Sequence, residues 1–162
     1  MPGTLIIGYG NALRGDDAVG LHAAHELESQ FRDDPDVEVI SSHQLTPELA
    51  DDISDCELVI FLDASCDGKA GTVLCRPISL ESGPGAFTHQ LDPASLIAAA
   101  EQLYGEAPKA FSLTLTGWSF EVGHKLSRGA KLQLPELVSR ARELVASHRK
   151  QLTAAAATSR LR

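Results

Sequence analysis

The stretch Leu58-Val59-Ile60-Phe61-Leu62 constrains the fold more than any other part of the chain. Consecutive apolar residues leave no polar face, so a strand built from them must be buried on both sides, as in a sheet covered by helices. Thr4-Leu5-Ile6-Ile7 has the same character and runs into Gly8-Tyr9-Gly10. Helical spacing follows from Asp17 to Phe31, where Val19, Ala23, Leu27 and Phe31 mark one buried face. Asp16 and Asp17 sit where a helix N-terminus favours negative charge. Val37 to Ile40 reads as a second strand after the Asp33-Asp34-Pro35 turn. Thr46-Pro47-Glu48 is expected to open a short helix, with Thr46 as its cap. The central strand should end in Asp63. Gly71 to Pro77 reads as a strand near an edge, Asp92-Pro93 as the start of a helix reaching Tyr104, and Ala110 to Thr116 as another strand. A last helix should begin near Gly129 or Leu134, with Leu137, Ala141, Leu144, Val145 and His148 as its apolar stripe. This alternation predicts an α/β fold: a three-layer α/β/α sandwich around a twisted, mostly parallel sheet of about five strands. It forms a single domain over residues 1–152, with a frayed tail over 153–162.

Charge narrows the partners. Asp and Glu number 22 against 14 Lys and Arg, a net charge of -8, which argues against binding a phosphate backbone. No apolar run is long enough to cross a bilayer, and the first residues do not read as a secretion signal. Cys56, Cys66 and Cys75 are odd in number and contain no C-x-x-C pair, which fits a reducing compartment. A cytoplasmic protein without nucleic-acid or membrane partners is expected. With no apolar surface stripe evident, a monomer is expected too.

In a parallel sheet ligands bind beyond the carboxyl ends of the strands. Asp16, Asp17 and Asp63 fall at that edge, and the loop carrying His89 can reach it. A dinucleotide site is a poor reading of Gly8-Tyr9-Gly10. Leu13 stands where the third glycine belongs, and Ser41-Ser42-His43 replaces the acid that would bind ribose. No Gly-Lys-Ser/Thr follows to make a phosphate loop.

The run Gly8-Tyr9-Gly10-Asn11-Ala12-Leu13-Arg14-Gly15-Asp16-Asp17-Ala18-Val19-Gly20 instead resembles the signature of the NiFe-hydrogenase maturation proteases, G-x-G-N-x-L-x-x-D-(D/E)-x-x-G, at every fixed position. Leu62-Asp63-Ala64 resembles the family's second acidic site and Thr88-His89-Gln90-Leu91 its histidine segment. His43 to Leu49, Gly117-Trp118-Ser119-Phe120-Glu121 and Leu126-Ser127 extend the similarity over nearly the whole chain. The resemblance implies an endopeptidase that recognises nickel in a NiFe-hydrogenase large-subunit precursor and removes its C-terminal peptide. It also implies that Asp17, Asp63 and His89 form the metal contact and catalytic site, with Asp17 where the family often carries Glu. The nickel would come with the precursor, which fits a site without cysteines of its own. Hydrolysis could be assisted by the metal, or the metal could only position the tail while a carboxylate acts as base. The alternative is a non-catalytic, nickel-dependent chaperone that clasps the precursor tail.

Other polar residues have plainer readings. Asn11 should bond loop backbone, and Gly8, Gly10 and Gly20 should allow close packing. His22 and His25 project from the helix face opposite its core stripe. His43, following the second strand, is a further candidate for lining the site. A Cys66 nucleophile would need a histidine partner, while Cys56 and Cys75 read as small buried residues. Asp51, Asp52, Asp55 and Glu57 read as a solvated face.

Overall fold

The computed structural model describes residues 1–80, 91–123 and 125–161. The strands are β1 (Thr4–Tyr9), β2 (Val37–Ser42), β3 (Leu58–Ser65), β4 (Val73–Pro77) and β5 (Lys109–Thr116). The helices are α1 (Val19–Gln30), α2 (Leu49–Ser54), α3 (Pro93–Tyr104) and α4 (Arg128–Ser159). The strand order is β2-β1-β3-β5-β4. All pairings are parallel except that between β4 and β5; β4 is an edge strand, as the sequence reading had it, and runs antiparallel.

The apolar run of β3 is divided between two cores. Ile60 and Leu62 face one side, where they meet Val19, Ala23 and Leu27 of α1 and Leu137 and Ala141 of α4. Val59 and Phe61 face the other, among Ile53 of α2 and Leu96 and Ile97 of α3. A side chain such as Phe61, fully buried, makes its truncation worth about 3–5 kcal/mol. The three layers therefore follow from the period-two geometry of a strand whose two faces are both apolar. No helix among the described residues is long and apolar enough to cross a membrane.

Four boundaries differ from the sequence reading. A 3-10 turn over Gly15–Ala18 precedes α1, so Asp16 and Asp17 lie in that turn and not in the helix. Strand β3 runs through Asp63 to Ser65, because β5 offers partners as far as Thr116. Thr46 does not cap α2: Glu48 holds the N-cap position, and no side chain makes the capping bond. The carbonyls of Thr46 and Pro47 instead accept from Leu49 N–H and Ala50 N–H, forming a turn ahead of the helix. Helix α4 starts at Arg128, capped by Ser127, and continues past Thr153 to Ser159 with every residue from 151 to 161 exposed. Asp92 caps α3 as read, its Oδ1 accepting from Ser95 N–H at 2.7 Å.

Candidate active site at the carboxyl edge of the sheet

The loop after β1 brings the first acid to the edge. Asn11 folds this loop on itself, its Oδ1 accepting from Leu13 N–H at 2.9 Å. Its own backbone N–H donates to Asp17 Oδ2 at 2.7 Å, which aims that carboxylate. The start of α1, directly after the 3-10 turn, lies so close over the strand ends that a Cβ at Gly20 would run into the carbonyl oxygen of Leu62. Gly10, at φ +150, passes equally close to the Asp17 carbonyl. Glycine at these two positions is what lets the Asp17 turn settle onto β1 and β3.

The second acid comes from β3. The register pairing Gly8 with Leu62 carries Tyr9 alongside Asp63. Asp63 accepts a hydrogen bond from the Tyr9 side chain, and its Oδ1 accepts from Ala64 N–H at 2.7 Å. Burial pushes the Asp63 carboxyl up from 3.8 to about 6, and the nearby charge of Asp17 adds to the rise against the lowering effect of its two hydrogen bonds. The Tyr9 hydroxyl is also raised, first by burial, then by Asp63, and further by Asp92 and Asp17. Tyr9, Asp17, His43 and Asp63 line one cleft of about 160 Å³, with Leu45 and Leu91 at its apolar wall.

The structure thus brings together two of the three sequence-derived site residues, Asp17 and Asp63, and adds His43 to their cleft. His89 lies outside the described residues. Among the described residues no group of three His, Cys, Asp or Glu side chains is placed to hold a metal ion. A cation between Asp17 and Asp63 would favour the ionised form of Asp63, against the burial that chiefly raises it and the smaller contribution of the Asp17 charge. Cys66 is exposed and does not line this cleft, whereas Cys56 is buried and Cys75 partly so. His22 and His25 are exposed, as are Asp51, Asp52, Asp55 and Glu57.

The fold is shared with solved maturation proteases. HybD, the hydrogenase maturating endopeptidase of E. coli, superposes with a TM-score of 0.73 at 23% identity, over 93% of this chain and 94% of that one. The NiFe hydrogenase maturation protease HycI of Thermococcus kodakarensis gives 0.72 at 22% identity, over 88% and 92%. No family model matches the chain. In sequence, the hydrogenase 2 maturation protease of Escherichia coli (strain K12) is 29% identical over 117 residues, 70% of each chain. The chain is thus similar to hydrogenase maturation proteases in fold and, over part of its length, in sequence.

The acid preceding Asp17 does different work. Asp16 is 1% exposed. Its Oδ1 accepts from Ser127 N–H at 2.7 Å, and its Oδ2 accepts from Trp118 N–H at 2.7 Å, Ser119 N–H at 3.2 Å and Ser127 Oγ at 2.7 Å. Burial alone would raise this carboxyl, but the four bonds outweigh it and hold Asp16 below the usual carboxylate range. Backbone bonds from Asp16 N–H to Ser119 O, Gly15 N–H to Gly123 O and Gly123 N–H to Leu13 O join the first loop to the segment after β5. The two late stretches of resemblance, Gly117 to Glu121 and Leu126-Ser127, therefore have a structural reason: both supply donors to Asp16. Helix-terminal placement alone did not reveal that role. Tyr9 was missed too, although its parity with Leu5 and Ile7 puts it on the face that Asp63 shares with Val59 and Phe61.

Proposed function

We propose that this peptidase removes the C-terminal peptide of a NiFe-hydrogenase large-subunit precursor once nickel is in place. The observation that carries the reading is the meeting of Asp17 and Asp63 in one cleft at the carboxyl edge, close enough for one charge to raise the other's pKa. Nickel belongs to the substrate in this scheme. Asp17, aimed by Asn11 N–H, and Asp63, steadied by Tyr9 and Ala64, would offer oxygen ligands, and His89 an imidazole. Such a set leaves coordination positions for the precursor's own ligands. A metal held mainly by the precursor explains a site that is acidic but has no cysteine of its own.

The test uses purified protein and unprocessed large subunit, with and without nickel, followed by the mass of the large subunit. Loss of a C-terminal peptide from nickel-loaded precursor alone is the expected result. Asp17→Asn should abolish that loss while the fold stays intact; full activity in this variant would remove Asp17 from the site. Nickel-dependent binding without cleavage by the wild type would favour a chaperone that clasps the tail.

A further inference from the structure

The sheet has two edges, and they are not treated alike. The β4 edge carries Arg76 and ends in Pro77, a charge and a missing donor of the kind that discourages further pairing. The β2 edge, Val-Glu-Val-Ile-Ser-Ser, has no proline to remove a donor, and its one charge is Glu38. Thr4 N–H donates to Asp36 O and Gly10 N–H to Ser42 O, so the even-numbered residues of β2 turn their backbone groups towards β1. The odd-numbered residues turn theirs outward. Val37 N–H is taken by Asp34 O at 3.2 Å. Val39 and Ser41 have no partner for their outward groups among the described residues. A cleft of about 450 Å³ lies between β2 and the end of α1, lined by Phe31, Arg32, Val37 and Val39. At its carboxyl end, β2 leads into His43 and Gln44, which line the cleft of Asp17 and Asp63.

An unprotected row of backbone donors and acceptors fits an extended peptide, and this row ends at the acids. Resting on the function proposed above, we infer that the C-terminal tail of the precursor binds as an added strand on the free edge of β2, which guides the scissile bond into the Asp17–Asp63 cleft. From Val39 to His43 is about 13 Å of extended chain, at about 3.3 Å per residue. The edge therefore engages roughly four tail residues next to the cut. Backbone pairing supplies affinity with little demand on tail sequence, and the cleft beside Val37 and Val39 receives alternate side chains.

Ser41→Pro deletes one outward N–H and spares the bonds to β1; Ser41→Ala keeps that N–H and serves as control. With nickel-loaded precursor, Ser41→Pro should raise KM about tenfold with kcat little changed, the loss of roughly one hydrogen bond, and Ser41→Ala should leave both unchanged. Amide exchange on the wild type, pulsed during the first turnover, should show Val39 and Ser41 becoming protected; this readout stands even if Ser41→Pro fails to fold. Normal cleavage with Val39 and Ser41 still exchanging freely, or an intact Ser41→Pro fold with wild-type KM, overturns the added-strand inference and leaves the proposed function standing. If the wild type neither binds nor cuts the nickel-loaded precursor, the proposed function fails and this inference falls with it.

Discussion

Asp63→Asn should make this protein more stable. The rise of the Asp63 carboxyl from 3.8 to about 6 means that the fold resists its ionised form. At about 1.4 kcal/mol for each tenfold change in proton affinity, ionising Asp63 in the folded state costs about 3 kcal/mol at pH 8. Asparagine removes that charge. Its single acceptor oxygen cannot serve both the Tyr9 hydroxyl and Ala64 N–H, a loss of about 1 kcal/mol. The net gain is about 2 kcal/mol, which in a chain of this size raises Tm by roughly 4–8 °C. The sign follows from linkage. Asp63 has a raised folded pKa, so its favourable contribution is fully present below 3.8 and is lost as pH rises through about 6. The advantage of the variant should therefore be largest at pH 8 and vanish near about pH 4.5. Thermal and urea melts across that range, in chelator-treated buffer, measure it. In an Asp17→Asn background the gain should shrink, because one cause of the raised pKa has gone. A variant no more stable than wild type at pH 8, or one whose gain ignores pH, would refute the claim that Asp63 is a strained acid.

Asp16→Asn should act in the opposite direction, costing about 2 kcal/mol at pH 7 in urea denaturation, since a charge accepting four hydrogen bonds becomes a neutral group with one acceptor oxygen. The Asp16 pKa is lowered, so its stabilisation is present above about pH 4 and is lost as pH falls through the folded value; the variant's deficit should fade in acid. Gly129→Ala would ordinarily favour a helix by about 1 kcal/mol. Here the new Cβ would come within 2.5 Å of the Trp118 ring, so the variant should instead lose stability and red-shift the emission of the single tryptophan. Removing residues 154–162 should leave Tm within about 2 °C, because the α4 contacts to Asp34 and Lys109 come from Arg149 and Gln151.

The fold was readable because its causes are local. An uninterrupted apolar run such as Leu58 to Leu62 admits few structures, and a helix stripe such as Val19-Ala23-Leu27 says which face is covered. Asp17 and Asp63 were readable as a pair because both follow apolar runs that must end at the same sheet edge. What escaped the sequence was long-range. The partners of Asp16 lie 102, 103 and 111 residues away, and nothing near Asp16 distinguishes it from an ordinary helix-terminal acid. The end of β3 depended on how far β5 continued beside it. The position of Thr46 met a local rule for capping, but the turn that follows used the backbone carbonyls of Thr46 and Pro47 instead.

The adjacent acids of the signature show how the edge can be rigid and reactive at once. Asp16 is held at low pKa by four donors from the 118–127 segment, so its charge is fully satisfied inside the protein. Asp17 accepts only the Asn11 N–H among the hydrogen bonds described and faces the cleft, where its charge falls on Asp63. One residue of sequence thus separates an acid that stabilises from an acid that strains its neighbour. The first makes the second tolerable: the turn carrying Asp17 cannot retreat from Asp63 while Asp16 is bonded to Trp118, Ser119 and Ser127. Loosening that clamp should let the two carboxylates move apart. The pH-dependent advantage of Asp63→Asn should then diminish in an Asp16→Asn background, a coupling between residues that share no hydrogen bond and that a double-mutant cycle measures directly.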